Sequence, residues 1–439
     1  MFGMSGRKDK IEPMIGAQGP AFLRVHASEL YLRDPVFESG LRELLPAGRR
    51  HDWAELPTPG APLRPVEAEY LLSLFVDPAR LDELADAVLA ARRAGGSTVL
   101  IIAVNSQQLT ALGNWLTRRG NENRLGGVRL MLAQNVDQVL RQLPQRLHKV
   151  SEDNIIRMPV STEVETTQYR NFYVFSPELQ ALVARIRAYA ANGIHRSYLL
   201  GGPGSGKTSL AYYYYLVRNR GRFVSVNLAA ENTGDKAAVK SLLCGHVSGA
   251  FPGAGARTGA FTHAREGVCF IDESHGITGP VMEVLMEAFD NGQYLPFGAS
   301  AKQPLECAIV FATNRSWETL INSVNIDEFT RIGAATLSVP ELYKREEDMI
   351  AVAATTLARL ASRCTSWHPP KGLSEEAWQL VRQCRWHGNI RAMVRVLESA
   401  FVDYGVRGSD SLLQVPDIMA GIQLWEPSEH HSHKIYSVA

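Results

Sequence analysis

At 439 residues the chain is long enough for two or three domains, each with its own core. Lys and Arg total 46 against 45 Asp and Glu, so bulk charge argues for neither a nucleic-acid nor a membrane-surface partner. No apolar run reaches the roughly 18–20 residues of a membrane span, no signal-peptide pattern opens the chain, and five scattered cysteines without metal-ligand spacing read as reduced thiols of a cytoplasmic protein.

Residues 1 to about 20 lack periodicity and are expected to be disordered. Residues 22–45 predict short elements, and the Pro- and Gly-rich stretch 49–65 predicts a loop. Helices are expected over 66–75 and 79–93, the second stopped by Ala94-Gly95-Gly96. Between 97 and 147 the pattern alternates: strand 98–104, helix 107–118, strand 128–132, helix 136–147. That alternation favours a small parallel-sheet domain over residues 1–150, acting either as a regulatory module or as a packing and oligomerisation unit. It shows no phospho-acceptor cluster of acids, so a standard receiver is not expected. A polar linker is expected over 151–171. Ser176 and Pro177 then read as the N-cap and first residue of a helix.

The next domain, 172–345, has short apolar strands at 197–200, 223–228, 268–272, 308–312 and 335–339, separated by helices. This predicts a doubly covered parallel sheet with its site at the strand C-terminal ends. From 346 to 439 a helical lid and a less regular tail follow, with stops at Pro369-Pro370 and Gly388, and the tail histidines His430, His431 and His433 read as solvated.

The chemistry is concentrated in three places. Gly201-Gly202-Pro203-Gly204-Ser205-Gly206-Lys207-Thr208 fits the phosphate-loop pattern, between a strand and a helix that begins near Ser209. Its backbone N–H groups and the helix N-terminus suit phosphate, Lys207 would reach the β- and γ-phosphates, and Thr208 would hold Mg²⁺. The strand Val268-Cys269-Phe270-Ile271 ends in Asp272 and Glu273, one carboxylate for Mg²⁺ and the other to polarise an attacking water. The strand ending Phe311-Ala312-Thr313-Asn314 places Thr313 and Asn314 where they could sense the γ-phosphate or the water.

From about residue 172 to 400 the order of parts resembles the AAA+ ATPase module of bacterial enhancer-binding proteins, the activators of sigma-54-dependent transcription. The specific match is Gly245-His246-Val247-Ser248-Gly249-Ala250-Phe251-Pro252-Gly253-Ala254, which is similar to that family's G-H-x-x-G-A-F-T-G-A loop. The resemblance implies that Gly249, Ala250, Phe251, Pro252, Gly253 and Ala254 form a partner loop, although Pro252 stands where the family has Thr. It implies that Asn227 restrains Glu273 until ATP is bound, and that Arg331 reaches a neighbouring subunit's ATP site. Trp386-His387-Gly388-Asn389-Ile390-Arg391 looks like the family's W-P-G-N-x-R, which would set Arg391 on the γ-phosphate. It further implies an ATP- and Mg²⁺-dependent ring, usually hexameric, that remodels a protein partner, either sigma-54 RNA polymerase or another protein. The 39 residues after Ala400 show no helix-turn-helix, so direct sequence-specific DNA binding is not expected. An ATP-gated scaffold in signalling or stress response, recruiting an effector through residues 1–150, is the alternative; a nucleic-acid-stimulated ATPase fits less well.

Overall fold

A computed structural model describes residues 21–45, 47–59, 67–150, 154–161, 169–228, 235–274, 277, 279–315, 335–408 and 411–426. The expectations for residues 1–20, for Arg331 and for the tail histidines lie outside them.

The N-terminal domain runs β1 (Ala21–Ala27), α1 (Pro35–Leu44), β2 (His51–Trp53), β3 (Ala68–Leu74), α2 (Leu81–Arg93), β4 (Val99–Val104), α3 (Leu109–Thr117), β5 (Val128–Leu132) and α4 (Val136–Gln142). Its five strands are all parallel in the order β2-β1-β3-β4-β5, the doubly wound arrangement that receivers share with flavodoxin. Of the segment 66–75, where a helix is expected, residues 68–74 form the central strand β3 instead. Tyr70, Leu71, Leu72, Ser73 and Leu74 are buried on both faces, so the run has no polar side to reveal its period.

Within the stretch 151–171 lies β6 (Ile155–Pro159), which pairs antiparallel with β7 (Tyr169–Tyr173). The chain continues with α5 (Pro177–Ala191), β8 (Arg196–Leu200), α6 (Lys207–Arg218), β9 (Phe223–Asn227), α7 (Lys236–Cys244), β10 (Gly245–His246), β11 (Arg257–Thr258), α8 (Ala260–His263), β12 (Val268–Asp272), α9 (Gly279–Asn291), the hairpin β13 (Gln293–Tyr294) and β14 (Gln303–Pro304), β15 (Ala308–Thr313) and β16 (Ala335–Ser338). Its main sheet is parallel, ordered β16-β8-β15-β12-β9, which brings the ends of β8, β15 and β12 side by side.

Three lid helices follow, Glu346–Ala361, Glu375–Gln383 and Asn389–Arg407, and a fourth spans Val415–Trp425. Up to residue 426 the described tail is therefore more regular than its glycines suggest. Gly405 leaves room for Trp367, whose ring lies 2.5 Å from where a Cβ would stand, and Pro416 opens the last helix, where its missing N–H costs nothing. All five cysteines are free thiols. Among the described residues no helix is long and apolar enough to cross a membrane.

Candidate nucleotide site

The sheet feeds β8 into the loop 201–206 and then into α6, which starts at Lys207. Two glycines are required by geometry. Gly204 sits at φ +68° and Gly206 at φ +104°; a Cβ on the first would stand 2.4 Å from the Gly388 carbonyl, and one on the second 2.2 Å from the Phe172 ring. Ser205 is buried with its Oγ unpartnered. Lys207 folds over the loop, its Nζ donating to the carbonyls of Gly201 at 2.7 Å and Gly202 at 3.1 Å. Burial lowers its pKa, while the carboxylates of Asp272 and Glu273 act in the opposite sense. Thr208 and Ser209 stand half-buried on the first turn of α6.

Asp272 ends β12 directly across from Asn227 on β9, so Asn227, Asp272 and Glu273 lie together at one sheet edge of the site. Asp272 Oδ1 accepts from the Glu273 N–H at 2.9 Å. Glu273 has φ +50°, a left-handed conformation that costs a non-glycine residue roughly 1–3 kcal/mol and is kept only where the surroundings impose it. Thr313 ends β15, between the phosphate-loop strand and β12. It is fully buried, its carbonyl accepts from the Gly201 N–H at 3.2 Å, and its Oγ1 accepts from the Arg315 N–H at 3.2 Å. Asn314 is exposed beside it.

The lid closes the other side. Asn389, at φ +49°, donates from Nδ2 to the Pro203 carbonyl at 3.1 Å and accepts at Oδ1 from the Leu342 N–H at 2.8 Å. Arg391 follows close to Gly204, and its charge contributes to lowering the pKa of Lys207. Glu426 holds His387 in place, accepting from its backbone N–H at 3.0 Å and pairing with Nδ1 at 2.8 Å.

Two residues were not singled out from the sequence. Arg345 is fully buried, donates from Nη2 to the Ser205 carbonyl at 3.4 Å, and has Nε and Nη1 unpartnered; burial lowers its pKa. Asp348, one turn on, accepts at Oδ1 from the N–H groups of Phe175 at 2.6 Å and Ser176 at 3.3 Å, while its own N–H donates to Ser176 Oγ at 3.2 Å. Burial pushes the Asp348 carboxyl up to about 6, against the pull of Arg345. The signal available was the run Lys344-Arg345-Glu346-Glu347-Asp348, five charges at the start of a helix that is mostly apolar after them.

The loop 247–254 projects from the core and is closed by three backbone bonds: Gly249 N–H to Ala254 O, Ala254 N–H to Phe251 O, and Ala250 N–H to Val247 O. With Pro252 and Gly253 (φ +80°) between them, Phe251 and Ala254 bracket a turn that has the residue pattern of type II. Proline therefore suits this turn. The Phe251 side chain stays exposed at its corner, 5.0 Å from the His246 ring and 6.2 Å from that of Phe297.

Residues 173–338 match the family described as the sigma-54 interaction domain. The chain is 27% identical over 270 residues to the sigma54-dependent transcriptional activator SfnR of Pseudomonas putida, a match covering 60% of this chain and 71% of that one. It is 30% identical over 235 residues to the alginate biosynthesis transcriptional regulatory protein AlgB of Pseudomonas syringae pv. tomato, covering 52% of this chain and 50% of that one. It thus spans about half the length of AlgB. Among solved structures, NtrX from Brucella abortus in complex with ADP superposes with a TM-score of 0.48 at 17% identity, over 94% of this chain and 88% of that one.

Proposed function

We propose that this chain, whose residues 173–338 match the sigma-54 interaction domain, the AAA+ ATPase module of bacterial enhancer-binding proteins, binds ATP, assembles into a ring, and uses hydrolysis to remodel a protein partner. The observation that carries the reading is the gathering of Lys207, Asp272, Glu273 and Arg391 around a phosphate loop that the lid residue Asn389 tethers.

In this mechanism the N–H groups of 201–206 and the orphaned Ser205 hydroxyl cradle the phosphates. Lys207 exchanges its two carbonyl partners for phosphate oxygens. The Thr208 hydroxyl and Asp272 carboxylate are hard oxygen donors that suit Mg²⁺, and they would hold it; when bound, it neutralises charge on the β- and γ-phosphate oxygens. Glu273 accepts the proton of the attacking water. Asn227, on the strand next to β12, restrains that carboxylate before ATP is seated, and Thr313 and Asn314 register the γ-phosphate. Arg391 steadies phosphate charge from the lid, and Arg331 does so from the adjoining subunit. The exposed Phe251, on a turn set by Pro252 and Gly253, presses on the partner, for which the sigma-54 RNA polymerase holoenzyme is the first candidate.

Release of γ-phosphate by the purified chain with Mg·ATP, together with ATP-dependent assembly in light scattering, tests the reading. A protein that stays monomeric at saturating nucleotide and releases no phosphate would remove it. A second reading, an ATP-gated scaffold, draws support from the apolar core that the N-terminal domain shares with the lid, since that domain would then follow the nucleotide state without turnover.

A further inference from the structure

The first turn of the first lid helix points three ways. Arg345, just before it, reaches the phosphate loop at the Ser205 carbonyl. Asp348 reaches the start of α5 at Phe175 and Ser176. Glu347, between them, reaches the N-terminal domain: its carboxylate accepts from Arg129 Nε at 2.9 Å, from Arg129 Nη2, and from the Leu130 N–H at 3.0 Å. Arg129 and Glu347 are 2% and 1% exposed, so this is a desolvated, bidentate ion pair that joins β5 to the lid. Arg146 reinforces it, pairing with Glu347 at 3.5 Å and Glu346 at 3.1 Å.

The rest of the joint is equally close. A Cβ at Gly113 on α3 would stand 1.9 Å from the Ala354 carbonyl, so the two helices meet backbone to backbone. Thr110 donates from its N–H to the Lys371 carbonyl at 3.0 Å and from its hydroxyl to the Pro370 carbonyl at 2.8 Å. One apolar cluster runs through both parts, from Leu84, Leu112 and Trp115 to Leu357, Trp378 and Met393.

A buried ion pair is a poor source of stability, because desolvating both charges offsets their attraction, and apolar replacement of both partners is often neutral. What a bidentate guanidinium–carboxylate pair supplies is a fixed geometry. We propose that Arg129 and Glu347 are positioning residues for the nucleotide site: through the first turn of the lid helix they hold Arg345 against the phosphate loop, so that the N-terminal domain sets the loop's readiness for ATP. This rests on the nucleotide reading above. The coupling is expected at the usual scale of linked sites, roughly 5- to 150-fold in affinity.

The test uses the full chain and the double variant R129M/E347L, with three readouts: thermal melting, affinity for a fluorescent ATP analogue, and hydrogen exchange at the amides of 201–206 without nucleotide. The expected result is melting close to wild type, affinity weakened about tenfold, and faster exchange in the loop. Wild-type melting with wild-type affinity and exchange overturns the proposal, leaving the pair as a structural contact only. If the double variant melts early, R129K and E347Q, measured below their melting onset, decide instead. Lysine keeps the charge but loses the fork, and glutamine keeps an acceptor for the Leu130 N–H. Both should weaken affinity and speed loop exchange, and unchanged values in both overturn the proposal. If wild type itself binds no ATP analogue, the nucleotide reading fails, and the exchange rates alone still decide whether the pair holds the loop.

Discussion

Asn389 ties the lid to the phosphate loop: one amide side chain donates to the Pro203 carbonyl and accepts from the Leu342 N–H, 186 and 47 residues away in sequence. The same residue sits at φ +49°, which asparagine tolerates better than alanine does. Replacing Asn389 with Ala removes one buried and one partly buried hydrogen bond, each worth about 1 kcal/mol net, and adds about 1–2 kcal/mol of left-handed strain. Urea unfolding should show a loss of about 3 kcal/mol, with weaker nucleotide binding. Asn389→Gly, free of the strain, should recover part of the stability but none of the binding. Equal recovery of both would mean that the backbone conformation, and not the amide, makes the tie.

Glu273 lies at the end of β12 with its backbone already held in a left-handed conformation, so a change of side-chain chemistry alone is cleanly testable. Glu273→Gln keeps the shape and removes the base. General-base removal costs typically 10²–10⁴ in rate, so phosphate release should fall by at least about a hundredfold while ATP binding persists. The motor and scaffold readings separate here. A remodelling motor stalls with the partner trapped, whereas a scaffold with this substitution still recruits its effector.

Arg331 carries the prediction of a shared site. An arginine supplied to a phosphoryl transition state is worth about 10³–10⁵ in rate, or roughly 4–7 kcal/mol, against about 0–1 kcal/mol for a surface ion pair. Arg331→Ala should therefore abolish turnover with nucleotide binding kept. Mixing Arg331→Ala with Glu273→Gln protein should restore a fraction of the activity, because some boundaries then combine an intact glutamate with an intact arginine. No recovery on mixing, in assemblies shown to exchange subunits, would place the arginine in its own subunit's site or outside any site.

The phosphate loop and the Asp272-Glu273 strand end were legible because their chemistry is local: a few adjacent residues set both backbone and function. Strand β3 was not, because a run buried on both faces carries no periodicity, and only its central place in the sheet separates it from a helix. The union of the N-terminal domain with the lid was illegible for another reason. Arg129 meets Glu347 across 218 residues of sequence, and the need for glycine at 113 comes from the facing Ala354 carbonyl, far away along the chain. Arg345 belongs with these. A fully buried guanidinium can be recognised only once its surroundings are known.

Two buried groups give stability opposite slopes against pH. Asp348 titrates at about 6 in the fold, against an ordinary 3.8, chiefly because burial disfavours its charge. The folded state then binds the extra proton between those values, so this group's contribution falls as pH rises through that window, by about 3 kcal/mol in all. His26 is the reverse: burial lowers it from 6.5 to about 4, so the unfolded state binds the extra proton, and stability falls by a similar amount as pH drops through that range. Asp348→Asn keeps the acceptor for the Phe175 and Ser176 N–H groups and cannot ionise. Relative to wild type, it should gain about 3 kcal/mol in urea unfolding between pH 4 and pH 7. His26→Leu should gain relative to wild type in the opposite direction, as pH falls from 7 to 4. Parallel pH profiles for wild type and Asp348→Asn would show that this carboxyl titrates normally, and would remove burial of its charge as a feature of the folded chain.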